Sequence, residues 1–150
     1  MQRLLAADDK TGGSDRFAQI DADRISIPEL IAETRAQDYA QTVTYRDLIL
    51  SDVAKGVARR VEIGGAEVDS RRSGSSSKGH LGAMRLEGVD FPALLRLTYA
   101  ARASADEPKR ITTRAFAMAG AQIEIEGGGK ITVGEIGGRD FGGRPLAAPL

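Results

Sequence analysis

The stretch Val89-Asp90-Phe91-Pro92-Ala93-Leu94-Leu95 has a counterpart upstream, Ile25-Ser26-Ile27-Pro28-Glu29-Leu30-Ile31. In each, apolar residues two apart lead into a proline that is followed by two adjacent aliphatic side chains. Proline has no backbone N–H and a pre-set helical φ, so it suits the first turn of a helix better than the interior of a strand. Both stretches therefore predict a strand that gives way to a helix, over residues 28–40 and 92–104. Ser26 lies where a side-chain oxygen can cap the first. The second has the better stripe, with Leu94, Leu97 and Ala101 on one line and Leu95 and Tyr99 beside it.

The likeness extends beyond these two stretches. A shift of 64 residues takes Phe17 to Leu81, Ile20 to Met84, Ile25 to Val89 and Pro28 to Pro92. A shift of 68 takes Val43, Arg46, Leu48 and Leu50 to Ile111, Arg114, Phe116 and Met118. A third start, Ile136 to Phe141, matches Leu86 to Phe91 at a shift of 50 but reaches Gly142-Gly143 instead of a helix signal. The expected organisation is a flexible lead-in over 1–15, one unit over 16–80, a second over 81–130 and the start of a truncated third over 131–150. The first two units are expected to form one structural domain.

Between the helix signals the pattern is that of strands. Val43, Tyr45, Leu48 and Leu50 alternate with polar residues, with a phase fault near Asp47; Val61 and Ile63, then Ile123 and Ile125, alternate cleanly. Gly64-Gly65 and Gly127-Gly128-Gly129 mark turns or a bulge. Ser70 to Gly79 contains no apolar residue and is expected to be an exposed loop. The fold class expected from these elements is α+β: two repeated strand-helix-strand-hairpin units forming a largely antiparallel sheet, with the helices on one face. Open strand edges at the ends of such an array invite pairing, so self-association or neighbouring repeats of a longer chain are the expected partners.

Composition narrows the chemistry. The 21 basic and 21 acidic residues balance, which gives the whole molecule no electrostatic reason to seek nucleic acid. There is no cysteine and one histidine, so thiolate metal sites and thiol nucleophiles are excluded. No apolar run is long enough to suggest a membrane-spanning helix.

The most basic part of the chain comprises Arg59, Arg60, Arg71, Arg72 and Lys78, candidates for contact with an anion or a lipid headgroup. No aromatic residues interleave them for base stacking. His80 stands without an evident carboxylate or serine partner, and Asp21 with Asp23 lacks the rest of a calcium loop. Gly74 to Gly79 fails the spacing of a phosphate loop, Ser75 to Ser77 lie in no nucleophile elbow, and Asp106-Glu107 adjoins Pro108. No catalytic, cofactor-binding or metal-binding residue is assigned on this basis, and no cofactor is expected.

The blocks V-x-Y-R-D-L-x-L-S-D-V-x-x-G (43–56), R-x-F-x-M-x-G-x-x-I-x-I (114–125) and G-x-I-x-V-G-x-I-x-x-x-D-F (129–141) resemble the β-rich repeats of uncharacterised bacterial envelope proteins, broadly of AsmA type. The resemblance covers residues 17–145 and brings no catalytic residues with it. It implies a periplasmic or envelope location and a structural or lipid-handling role, although the first ten residues carry no export signal. The function expected is that of a non-enzymatic structural or interaction module. The competing expectation is a domain that holds a lipid or small ligand in an apolar groove between helix and sheet.

Overall fold

Apolar residues two apart, separated by charge or hydroxyl groups, favour strands with one dry face, and almost every such run forms one. The computed structural model describes residues 12–99 and 108–144. Its elements are α1 (Gly12–Phe17), β1 (Ala22–Ala36), β2 (Tyr39–Ala54), β3 (Val57–Ile63), β4 (Gly65–Arg72), β5 (Ser75–Leu81), β6 (Met84–Asp90), α2 (Phe91–Tyr99), β7 (Arg110–Met118), β8 (Ala121–Ile125), β9 (Gly129–Val133) and β10 (Ile136–Gly143). All ten strands join one antiparallel sheet.

The sheet order is simpler than ten strands suggest. β3 and β4 lie end to end along β2, β5 and β6 end to end along them, then β7 with β8, and last β9 with β10. The register does not slip between the halves: Ile49 faces Glu62 before the break and Arg46 faces Gly65 after it, with equal numbers of residues between on both strands. The sheet is therefore an up-and-down meander of six long strands, beginning with β1 and ending with β9–β10.

The breaks form transverse creases. One row of cross-strand neighbours reads Leu30, Tyr45, Ala66, Leu81, Ala121 and Val133. The next apolar row along the strands is Ile27, Leu48, Ile63, Met84, Met118 and Ile136. Strict alternation leaves one residue between such rows, but every strand here has two: Pro28-Glu29, Arg46-Asp47, Gly64-Gly65, Gly82-Ala83, Ala119-Gly120 and Gly134-Glu135. Each strand thus carries its own extra residue, as in a β-bulge, and the extras stand side by side. Backbone groups at the crease stay paired, with Gly64 N–H donating to Arg46 O at 2.9 Å and Gly82 N–H to Gly120 O at 2.8 Å.

A second crease crosses nearer one end, through Asp23, Asp52, Arg59, Gly88, Arg114 and Asp140. Asp52, Gly88 and Asp140 adopt left-handed backbone, at φ 51°, 60° and 55°. Asp and Gly are the residues that tolerate this conformation best. Leu50 and Val61 on one side of this crease pack in a single core cluster with Val53, Ala58 and Val89 on the other. The extra residue therefore keeps the apolar side continuous where plain alternation would invert it. At the central crease the burial continues likewise, from Val61 and Met118 to Ala66 and Ala121.

The α+β expectation is overturned. The described residues form one large β-sheet with two short helices, and these sit where strands enter and leave one end of the sheet. Phe17 of α1 stacks on Phe91 of α2 at 5.9 Å, and Gly56 in the β2–β3 turn lies against both helices. The helix expected over 28–40 is β1, the turn after it and the start of β2. Its apolar edge was thin, whereas pairing with β2 runs from Ala22↔Val53 to Ala36↔Tyr39 and satisfies the backbone along the whole strand. Pro28 is tolerated because it lies on an edge strand and within the crease.

The second helix forms from Phe91, with Asp90 Oδ1 accepting the Ala93 N–H at 2.9 Å as its N-cap. The rest of the predicted 92–104 helix and the Asp106-Glu107 pair lie outside the described residues. The loop expected over Ser70–Gly79 is instead the β4–β5 hairpin, turning at Ser73-Gly74. Its serines are served by cross-strand neighbours: Gln41 donates to Ser70 Oγ at 3.1 Å, and Ser76 donates to Glu126.

Candidate interaction surface

The long hairpins place two different surfaces on the two sides of the sheet. Between the central crease and the β4–β5 turn, Thr44, Glu67, His80 and Gln122 are successive cross-strand neighbours. The next row on the same side is Glu33, Thr42, Asp69, Lys78, Glu124 and Lys130. All of these residues except Glu33 and Lys130 line a polar trough of about 810 Å³, which Arg35 and Arg71 also border. From Asp69 to Lys130 the charges along the second row alternate in sign. Arg71 lies 3.7 Å from Asp69, and Lys130 lies 3.6 Å from Glu124. In so exposed a setting such pairs fix side-chain positions more than they stabilise the fold.

On the opposite side of the same strands the residues are apolar: Leu30, Val43, Tyr45, Val68, Leu81 and Ile123 are half-buried, while Ile125, Ile131 and Val133 are exposed. Ile136 continues the exposed line across the crease. Among the described residues, the elements packed against β8, β9 and β10 are chiefly their sheet neighbours; the helices gather at β3 and β7. Ile131 is 50 % exposed and Ile136 38 %, values that belong to side chains without a second layer. Beyond them, the outer edges of β9 and β10 have no strand partner among the described residues, and neither has the outer edge of β1.

The basic residues do not gather into one site. Arg59 and Arg60 lie on β3, and Arg71 and Arg72 lie at the far end of β4. At roughly 3.3 Å per residue the two pairs are separated by some 35–40 Å. Arg59 lies 3.7 Å from Asp52, Arg60 faces Glu87 across the ladder, and Lys78 stands between Asp69 and Glu124. An anion would meet a carboxylate beside almost every one of these cations.

His80 is exposed in the trough and faces Glu67 and Gln122. Its carboxylate neighbour was hidden from the sequence, because Glu67 comes beside it only once Ser70–Gly79 is read as a hairpin. Asp21 accepts the Lys55 N–H at 2.8 Å and so secures the β2–β3 turn, while Asp23 lies in the second crease. Among the described residues there is no cluster of three or more His, Asp or Glu side chains able to hold a metal ion, and no helix long and apolar enough to cross a membrane. Ser75, Ser76 and Ser77 are strand residues facing Arg72, Arg71 and Ser70.

Comparison with protein-family models, curated proteins and solved structures found no match.

Proposed function

We propose that this chain is a non-enzymatic structural or interaction module, and that it works through the apolar side of its sheet. One observation carries this reading: Ile125, Ile131, Val133 and Ile136 form an exposed apolar line beside an unpaired strand edge. Contiguous exposed apolar surface marks interaction sites, and an open edge offers backbone hydrogen bonds next to it. Sedimentation velocity of the purified protein tests the reading. Concentration-dependent association that is weakened by Ile131→Asp together with Val133→Asp is expected. A wild-type protein that stays monomeric at several hundred micromolar and binds no apolar ligand would count against it.

The rival reading, a lipid-binding domain, is favoured by the half-buried rows around Tyr45, Val68 and Ile123 on that same side. Its ligand would lie on the open sheet rather than between helix and sheet. Native mass spectrometry separates the two, because co-purified lipid mass favours the rival and a clean protein mass opposes it. A place in a bacterial envelope rests on the resemblance of residues 43–56 and 114–141 alone.

A further inference from the structure

We infer that the outer edge of β9–β10 pairs with the outer edge of β1 of a second copy of this chain, extending the sheet in one register. This rests on the interaction-module reading and specifies its partner. The meander has an even number of long strands, so β9–β10 runs antiparallel to β1. A copy displaced sideways therefore continues the alternation of strand directions without a mismatch. Both creases span the sheet from edge to edge, ending at Pro28 and Asp23 on β1 and at Glu135 and Asp140 on β9–β10. Bringing both creases into line selects a single register.

That register places like beside like on the apolar side. Val133 comes beside Leu30 of the next copy, Ile131 beside Ala32 and Ile136 beside Ile27. On the polar side the row Asp69, Lys78, Glu124, Lys130 alternates in sign, and the next residue along it is Glu33 of the second copy. A slip of one residue would turn each side chain to the wrong face, so these rows specify the pairing. Pro28 does not cap the edge, because it falls in the crease, where the ladder skips a residue on each strand. At the far end Arg139 meets Arg24, and Asp140 meets Asp23, which opposes the contact there. The contact is heterologous and leaves the same two edges free, so assembly is open-ended.

The chain has no cysteine, so single-cysteine variants report the contact directly. Glu33→Cys and Lys130→Cys replace side chains that are 56 % and 54 % exposed, respectively. Under mild oxidation a mixture of the two is expected to give a disulfide-linked dimer that neither variant gives alone. Cross-linking of either variant with itself, or none in the mixture, overturns the proposal. Sedimentation of the wild-type protein keeps the two levels apart: association without the mixed cross-link removes the edge register and leaves the interaction module standing, whereas no association removes both. Arg24→Glu is expected to strengthen association roughly two- to fivefold by replacing a like-charge neighbour with an opposite one; unchanged or weaker association contradicts the register.

Discussion

Asp52 and Gly88 stand in one transverse row with Arg59 between them, and both hold left-handed backbone, at φ 51° and 60°. A side chain at Gly88 would also meet Arg114, whose Cδ lies 2.7 Å from the position of an added Cβ. Gly88→Ala is therefore expected to destabilise the fold by about 1–2 kcal/mol, combining the left-handed penalty with displacement of a flexible arginine. Asp52→Gly should be neutral or slightly stabilising. Urea denaturation of both variants checks this, and equal midpoints for Gly88→Ala and wild type would show that the row does not require its special backbone.

Gly56 joins the sheet to its helices. At φ 75° it places its backbone so close to Phe17 O that an added Cβ would lie 2.3 Å away, with Pro92 at 3.0 Å. Its N–H donates to Ile20 O at 3.0 Å and its carbonyl accepts from Phe91 N–H at 3.2 Å. Gly56→Ala is expected to cost about 2–3 kcal/mol, since strain at a left-handed position adds to a clash with rigid backbone. Near-ultraviolet circular dichroism should report loss of the Phe17–Phe91 stacking before the sheet unfolds.

The sequence made most strands legible and misplaced one of the two helices. Clean alternation at Val61–Ile63 and Ile123–Ile125 led directly to β3 and β8. Pro28 misled, because the missing N–H that suits a helix start also suits an edge strand, and only the pairing of β1 decides between them. Ser70–Gly79 misled because its composition describes hydrogen-bonding capacity and says nothing of neighbours. With β4, β5 and β8 side by side, Gln41 and Glu126 serve its serines. The phase fault at Asp47 was visible, but as a local flaw; its recurrence on each strand emerged only once the rows were aligned. For the same reason the exposed apolar line from Ile125 to Ile136 was not legible, since those residues lie on three different strands.

Among the described residues Val89, 2 % exposed, is the largest side chain to be buried so completely, next to Val61 and Ala58 in the core cluster. Val89→Ala removes two methyl groups and leaves a cavity in a thin core, for an expected loss of about 2–3 kcal/mol. Ile31→Ala, at a side chain 54 % exposed, should change stability by no more than about 0.5 kcal/mol. Thermal unfolding of the pair measures how far the core is confined to the helix-capped end of the sheet. Comparable losses at both positions would place part of the core where the structure does not.

If the central crease is one coherent set of extra residues, removing a single member should be worse than its chemistry suggests. Gly64 has no side chain to lose, although its backbone packs closely on β2, where an added Cβ would lie 3.1 Å from Asp47 Oδ2. Deleting it, however, shifts all of β4 by one residue, turning Ala66 and Val68 away from the apolar side and bringing Glu67 and Asp69 onto it. The neighbouring strands cannot follow, because each keeps its own extra residue. The Gly64 deletion is expected to cost more than about 4 kcal/mol or to abolish cooperative unfolding, placing it among the exceptional single changes. An alanine inserted into the Ser73-Gly74 turn lengthens the same hairpin but leaves the rows in step, and should cost less than about 1 kcal/mol. Denaturation curves of the two variants measure the difference: similar modest losses would mean that the strands tolerate independent phase faults, and a large gap that the sheet is held in register as a unit.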